Sequence, residues 1–160
     1  MTKINIEEVV FGFPTKAEVD EIIDLFAEIT DVIKTKVGWD NYTIETQRSE
    51  QKMIIEMIMD QDDKIFVGRY KGEIIAGVNV EIIRNIRHGW QRAHIEELVV
   101  KDGYRGQGVG TALIKHVIEY CKTANIHVIK LMCGEQLTDS QCFYEKLGFV
   151  AKDKGYRLEI

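Results

Sequence analysis

The spacing of apolar positions changes several times along the chain, and each change marks an element. Residues 3–10 predict a short first strand. Thr15-Lys16-Ala17-Glu18 has the form of a capping box, with Pro14 just before it. Val19, Ile22, Ile23, Phe26 and Ile29 then recur at helical spacing. Gly38, Asp40 and Asn41 break that pattern around Trp39 and Tyr42. A second helix is predicted near 49–59, with Ile54, Ile55, Ile58 and Met59 as candidate core residues. Residues 64–70 and 73–85 read as two strands joined by the tight turn Lys71-Gly72, a hairpin. A polar connection containing Gly89 covers 84–91, and 93–100 is the next strand. Helix follows near 108–124, with Val109, Leu113, Val117, Cys121 and Ala124 on one stripe. Residues 126–133 read as a buried strand and 139–147 as a helix, and short strands near 149 and over 156–160 close the chain. The predicted order is βααβββαβαββ, an α/β (α+β) arrangement with no linker, repeat or low-complexity segment.

Composition narrows the class. A chain of 160 residues suits about one domain with a sizeable core, here read as a single domain over 1–160. Hydrophobic residues make up 45% and charged residues 29%, as in ordinary soluble proteins. The net charge of −5 argues against broad electrostatic binding of nucleic acid. No apolar run reaches the ~20 residues of a membrane span. The first eight residues carry Glu7 and Glu8 and no long apolar stretch, unlike a signal peptide. Cys121, Cys133 and Cys142 are widely spaced and contain no C-x-x-C pair, which speaks against a zinc site or a disulfide framework. Each reads as a small buried hydrophobe. The expectation is a cytoplasmic protein with no metal, no nucleic-acid partner and no membrane partner.

The densest chemical signal is Tyr104-Arg105-Gly106-Gln107-Gly108-Val109-Gly110-Thr111. It follows the apolar run Leu98-Val99-Val100 and precedes a helical pattern. Alternate glycines clear side chains from a strand-to-helix turn and permit backbone conformations closed to other residues. A row of free N–H groups at a helix N-terminus, where the dipole favours negative charge, makes a pyrophosphate cradle. Arg105 adds a cation with a fork of donors. A P-loop is excluded because no Lys follows a glycine at its spacing, and G-x-G-x-x-G fails at Thr111 or Leu113.

What remains is R-x-x-G-x-G at Arg105, Gly108 and Gly110, which resembles the pyrophosphate-binding motif of the GNAT superfamily of N-acetyltransferases. The wider pattern V-x-P-x-Y-R-G-x-G-x-G maps onto residues 100–110, with Asp102 where Pro is usual. Phe143-Tyr144-Glu145-Lys146-Leu147-Gly148-Phe149 resembles the family's final helix and its F-Y-E-K-x-G-F ending. The resemblance covers residues 94–160 and implies the GNAT fold, a mixed sheet of six or seven strands flanked by four helices. It also implies an enzyme that moves the acetyl group of acetyl-CoA to a primary amine, by direct attack in a ternary complex.

The resemblance implies a set of site residues too. Leu98, Val99 and Val100 would bind the pantetheine arm like an added strand, and one of their N–H groups would meet the thioester oxygen. Arg105, Gly106, Gln107, Gly108, Val109, Gly110 and Thr111 would hold the pyrophosphate. Tyr144 corresponds to the family's general acid. Strand alternation puts His94 and Glu96 on one face with Leu98 and Val100, so Glu96 is the first choice of base and His94 its helper or substitute. Glu97 is expected to face away unless a bulge changes the phase. Many relatives carry Asn several residues before the Tyr; here Leu137 and Ser140 stand in that region, and Ser140 is the candidate replacement.

The acceptor is less defined. Trp39, Tyr42, Arg84 and Trp90 are candidate acceptor-binding residues, and with Arg87, His88 and Arg92 they hint at a carboxylate or phosphate on a small-molecule amine. His94-Ile95-Glu96-Glu97 is reminiscent of the glucosamine-phosphate branch. Two alternatives stay open: a non-catalytic acyl-CoA-binding regulatory module, and a protein or peptide N-acetyltransferase. A homodimer stays open as well.

Overall fold

The computed structural model describes residues 3–37, 47–156 and 158. Strands β1 (Val10–Gly12), β2 (Lys64–Tyr70), β3 (Glu73–Asn85), β4 (Trp90–Val100) and β5 (Ile129–Leu131) form one sheet in that order. All neighbours are antiparallel except β4 and β5, which run parallel. Four helices flank it: α1 (Val19–Val37), α2 (Arg48–Asp60), α3 (Val109–Thr123) and α4 (Thr138–Lys146).

Two apolar layers hold the helices to the sheet. On one face, Val109, Leu113, Ile114, Val117 and Cys121 of α3 pack against Phe66, Val78, Val80, Ala93 and Ile95. On the other, Ile22 and Leu25 of α1 pack against Ile65, Val67, Ile74 and Val99. The alternation of Ile65, Phe66 and Val67 between these layers is the period-two pattern of a strand buried on both sides. Gly77 lets α1 come close to the centre of β3: a Cβ there would stand 2.8 Å from the ring of Phe26. Helix α2 is different, since it has no buried residue. Ile54, expected in the core, is 49% exposed.

Most element boundaries match the sequence reading within one to three residues, and three differences matter. The expected strand over 3–10 is instead a 3-10 turn, Ile6–Glu8, followed by β1. The Asn5 side chain accepts the Glu7 N–H at 3.2 Å and starts the turn. The sheet has five strands among the described residues, against six or seven expected. Residues 149–156 form no strand, and the last expected strand includes residues outside the described set. Cysteine burial was over-generalised: Cys121 is buried, but Cys133 is only partly so and Cys142 is exposed. No described helix is long and apolar enough to cross a membrane.

The capping box forms as expected. Glu18 accepts the Thr15 N–H at 2.7 Å and Oγ1 at 2.9 Å. The same carboxylate takes a two-pronged contact from Arg69 of β2, at 2.6 and 2.8 Å. Hydrogen bonds from Arg69 hold the Glu18 carboxyl down at about 2, against an ordinary 4.5. A depressed carboxylate pKa stabilises the fold above its unfolded value, and that contribution is lost as pH falls from about 4.5 towards 2. Both side chains are 21% exposed, so solvent screening trims the full linkage energy. Glu18→Gln is expected to cost about 2 kcal/mol at pH 7, read by chemical denaturation, with the deficit shrinking below pH 4.5. An unchanged midpoint at pH 7 would remove this pair from the account of how α1 is anchored.

Candidate functional site

The site begins with an irregularity in β4. Asn79 of β3 stands opposite Glu97, but the next residue, Val80, stands opposite Ile95. Glu96 is therefore an extra residue, a β-bulge, and it re-phases the strand. Leu98 and Ile95 face the same α3 layer although they are three residues apart. Glu97 then lies on the opposite face with Asn79 and Val99, towards α1 and α2. Strict alternation assigned Glu97 away from the site, and the bulge corrects that. The signal was present in the sequence: apolar positions 93, 95, 98 and 100 jump from a spacing of two to three and back.

Glu97 and Asn79 line a cleft of about 430 Å³ between α1, α2 and the sheet. The remaining wall is mostly apolar, with Ile22, Phe26, Ile54 and Ile58 prominent, and Glu50 and Gln51 supply its other polar groups. Glu97 is reached by solvent through the cleft mouth, yet burial against these walls, reinforced by the neighbouring Glu96 charge, pushes its carboxyl above the ordinary 4.5. Asn79 Oδ1 is buried without a hydrogen-bond partner. Glu96 itself is exposed and stands 3.4 Å from His94 Nε2, whose side chain is 18% exposed. The first-choice carboxylate and its helper thus meet each other, while the carboxylate set aside lines the cleft.

Beside the bulge, β4 loses a neighbour. It pairs with β5 only at Ala93, His94 and Ile95. The edge of Leu98, Val99 and Val100 that faces β5 has no strand partner among the described residues. An extended polar chain has an open edge to join there. The Val100 carbonyl is already used, accepting Arg105 Nε at 2.7 Å.

The loop after β4 has the cradle geometry. Gly106 has φ +73° and Gly108 has φ +88°, values that L side chains rarely adopt, and a Cβ on either would project into open space. Gly108 is the N-cap of α3. Among the described residues, no acceptor takes the backbone N–H of Gly106, Gln107, Gly108, Val109, Gly110 or Thr111. These donors lie at the positive end of a 15-residue helix. The loop's side chains are tethered outward. Arg105 donates to Glu28 Oε2 of α1 at 2.7 Å, with its side chain still 41% exposed. Gln107 accepts the Ile4 N–H at 3.0 Å and donates to the Gly103 carbonyl at 3.1 Å. Tyr104 donates to Glu73 at 3.0 Å. Val109 is buried in the α3 layer and Thr111 is half-buried.

Helix α4 closes the other side. A Cβ on Gly110 would stand 3.4 Å from Val100 and 3.5 Å from Phe143, so β4, α3 and α4 meet there. Next to Phe143, the Tyr144 ring sits edge-on between Phe143 and Phe149, at 5.1 and 5.6 Å. Burial, with a smaller contribution from Cys133, pushes its hydroxyl up to about 12. Tyr144 therefore stays a proton donor throughout the physiological range. Ser140 lies one helical turn earlier on the same face of α4 and is half-buried.

Of the expected acceptor residues, Arg84 and Trp90 are not brought to this cleft. Trp39 and Tyr42 lie outside the described residues. Arg84 is ion-paired with Asp62. Trp90 stands opposite Asn85 at the far end of the β3–β4 hairpin, stacked on His88. Six residues of strand separate it from Glu96, or about 20 Å.

The acetyltransferase (GNAT) family matches residues 27–149, which include the bulge, the glycine loop and α4. The chain belongs to this family. An N-acetyltransferase of uncharacterized function from Methanocaldococcus jannaschii is 28% identical over 141 residues, 87% of this chain and 59% of that protein. The glucosamine 6-phosphate N-acetyltransferase of Trypanosoma brucei brucei is 34% identical over 98 residues, 61% of this chain and 65% of that one. The chain thus spans a little under two thirds of these relatives' lengths. The crystal structure of a transcriptional regulator from Bacillus halodurans superposes with a TM-score of 0.78 at 27% identity, covering 95% of this chain and 99% of its own. The GNAT fold of the chain is thereby established, as a mixed sheet of five described strands with four helices.

A carboxylate whose pKa folding raises is a liability to stability even when, like Glu97, it stays open to solvent. With its folded pKa raised, Glu97 costs stability as pH rises from the unfolded carboxylate value through the folded one. Glu97→Gln in this GNAT chain is expected to melt at a higher temperature than the wild type at pH 7–8. The two should converge below about pH 4, where the carboxyl is neutral in both states. Calorimetric melts across that range check it, and a lower melting temperature at neutral pH would contradict the burial.

Proposed function

We propose that this chain transfers the acetyl group of acetyl-CoA to the primary amine of a small molecule, by direct attack in a ternary complex. The observation that carries the reading is the juxtaposition of a carboxylate lining a mostly apolar cleft, a strand edge unpaired among the described residues and a glycine cradle, all on one continuous stretch of chain from Glu97 to Thr111. The relatives named as N-acetyltransferases support the same chemistry. An acyl-CoA-binding module without catalysis would need neither a carboxylate in the cleft nor the Tyr144 hydroxyl.

The cradle suits the pyrophosphate of CoA. Six free N–H groups and two glycines whose Cβ positions are open leave room for an anion at the α3 N-terminus. Arg105 ties the loop to Val100 and Glu28 and so holds the N–H groups in place. The open edge at 98–100 receives the pantetheine arm, with Ser140 on the facing helix as a polar contact. Acetyl-CoA supplies the activated acyl carbon. Glu97 holds the incoming ammonium and takes its proton, directly or through a water, which frees the nitrogen lone pair. The C–N bond then forms, the nitrogen gives up its second proton to water, and the C–S bond breaks. With its hydroxyl at about 12, Tyr144 is far weaker as an acid than a thiol of ~8.5, so it donates a hydrogen bond to the departing sulfur. The thiolate takes its proton from water.

Steady-state thiol release from acetyl-CoA across a panel of amines tests the reading. Gly108→Glu puts a carboxylate in the cradle and is expected to abolish CoA binding in calorimetry while leaving the circular dichroism spectrum intact. Tyr144→Phe removes one hydrogen bond made to a developing charge and is expected to lower kcat by about 10–100-fold with CoA affinity retained. Wild-type CoA affinity in a folded Gly108→Glu variant would overturn the cradle assignment. Wild-type kcat in Tyr144→Phe would leave that residue a packing aromatic.

A further inference from the structure

We infer that the cleft between α1 and α2 is a site for an ammonium group carried on an apolar body, and that the acceptor is an apolar primary amine rather than a phosphorylated amino sugar. The inference rests on the transferase reading for its chemistry, but the recognition is argued from this cleft alone.

Two polar atoms define where the nitrogen goes. Asn79 and Glu97 are cross-strand neighbours on β3 and β4. Asn79 Oδ1 is buried and accepts no hydrogen bond among the described residues. Leaving such an acceptor unpaired is costly, and native structures usually satisfy it with a ligand or water when the protein does not. Glu97 lies beside it at the cleft wall. A primary ammonium has three donors: one serves Glu97 and one serves Asn79 Oδ1. The third remains for a water.

The remaining wall selects what the nitrogen is attached to. Isoleucines 22, 23, 54, 55, 58 and 65 and Phe26 surround the space. Ile54 is half exposed, and α2 buries no residue, so this apolar surface lacks a cover among the described residues. The volume of about 430 Å³ lies in the range of small-molecule sites.

A phosphate has no partner here. Among the described residues no Lys or Arg lines the cleft, and its charged groups are the carboxylates Glu50 and Glu97. The connection between α1 and α2, residues 38–46, contains no Lys or Arg in its sequence. Arg84 is held by Asp62, and Arg87 packs its guanidinium against His88 at the hairpin end. Arg92 of β4, whose buried Nε has no hydrogen-bond partner among the described residues, does not line the cleft either.

Calorimetric titration of the full chain, with CoA present, tests the site directly. Phenethylamine serves as the apolar amine, phenethyl alcohol as its uncharged analogue and glucosamine 6-phosphate as the polar rival. Phenethylamine is expected to bind at least 10-fold more tightly than either of the others. Asn79→Leu, checked for folding by circular dichroism, is expected to weaken phenethylamine by about 10-fold or more, the loss of one hydrogen bond to a charged group. Absent phenethylamine binding, tighter binding of glucosamine 6-phosphate, or wild-type affinity in folded Asn79→Leu would each overturn the inference. A protein that binds phenethylamine as expected yet releases no thiol from acetyl-CoA supports the ammonium site and contradicts the transferase reading, so the two failures are told apart.

Discussion

A single extra residue in β4 organises the site. A strand paired on both edges and buried on both faces has no freedom to present a carboxylate: every polar side chain would enter an apolar layer, and every backbone group would be used by the ladder. Inserting Glu96 relaxes both constraints at once. It shifts Glu97 onto the α1–α2 face opposite Asn79, and it marks where β4 and β5 stop pairing. The same few residues therefore offer a cleft carboxylate, an open backbone edge and, a short distance on, the glycine loop. These features would be unrelated in a regular strand. Here they follow from one local irregularity.

The surrounding structure keeps that irregularity rigid. Behind the bulge, Ile95 and Leu98 stay anchored in the α3 layer and Val99 in the α1 layer. After it, Lys101 donates to the Ile75 carbonyl through its backbone at 2.8 Å and to Glu73 through its side chain at 2.5 Å. Arg105 reaches back to Val100 and across to Glu28, whose carboxylate also accepts the Asp102 N–H at 2.9 Å. Loop and helix α1 are thus joined by charge-assisted bonds, while α2 is held more loosely, by Arg48 to Asp20 and Asp24 at the surface. Hydrogen bonds fix the cradle loop, whereas α2 over the cleft buries no residue. That is the distribution expected where one ligand group needs fixed donors and the other needs access.

Much of the architecture was legible because it is written in local periodicity. β2 and β3 fall on the predicted residues, since both flank the Lys71-Gly72 turn, where φ is positive at each residue. The Thr15–Glu18 capping box and the α3 stripe were equally local. The cradle was legible for the same reason: glycine spacing encodes backbone shape directly. What escaped depended on partners distant in sequence. The pairing of Arg105 with Glu28, on another element, left no trace in the local pattern. Ile54 looked like core until α2 proved to cover a cleft rather than a packed layer. The anionic-acceptor hint from Arg84 dissolved because Asp62, 22 residues away, neutralises it. Strand phase was the most consequential miss. Alternation holds for Glu96 and Glu97 only in a regular ladder, and the two-three-two spacing of Ala93, Ile95, Leu98 and Val100 was the one trace of the bulge in the sequence.

The central claim is that the bulge makes Glu97, not Glu96, the carboxylate that works on the acceptor nitrogen. The most direct measurement is the pH dependence of kcat/KM for the wild type, Glu96→Gln and Glu97→Gln, with one amine and acetyl-CoA. A base held above the ordinary carboxylate range gives wild-type activity that rises with pH through that elevated value. The account expects Glu97→Gln to lose about 10²-fold or more and to lose that acidic limb, with Glu96→Gln keeping both the limb and most of the rate. A profile in which Glu96→Gln abolishes the limb and Glu97→Gln matches the wild type would contradict it.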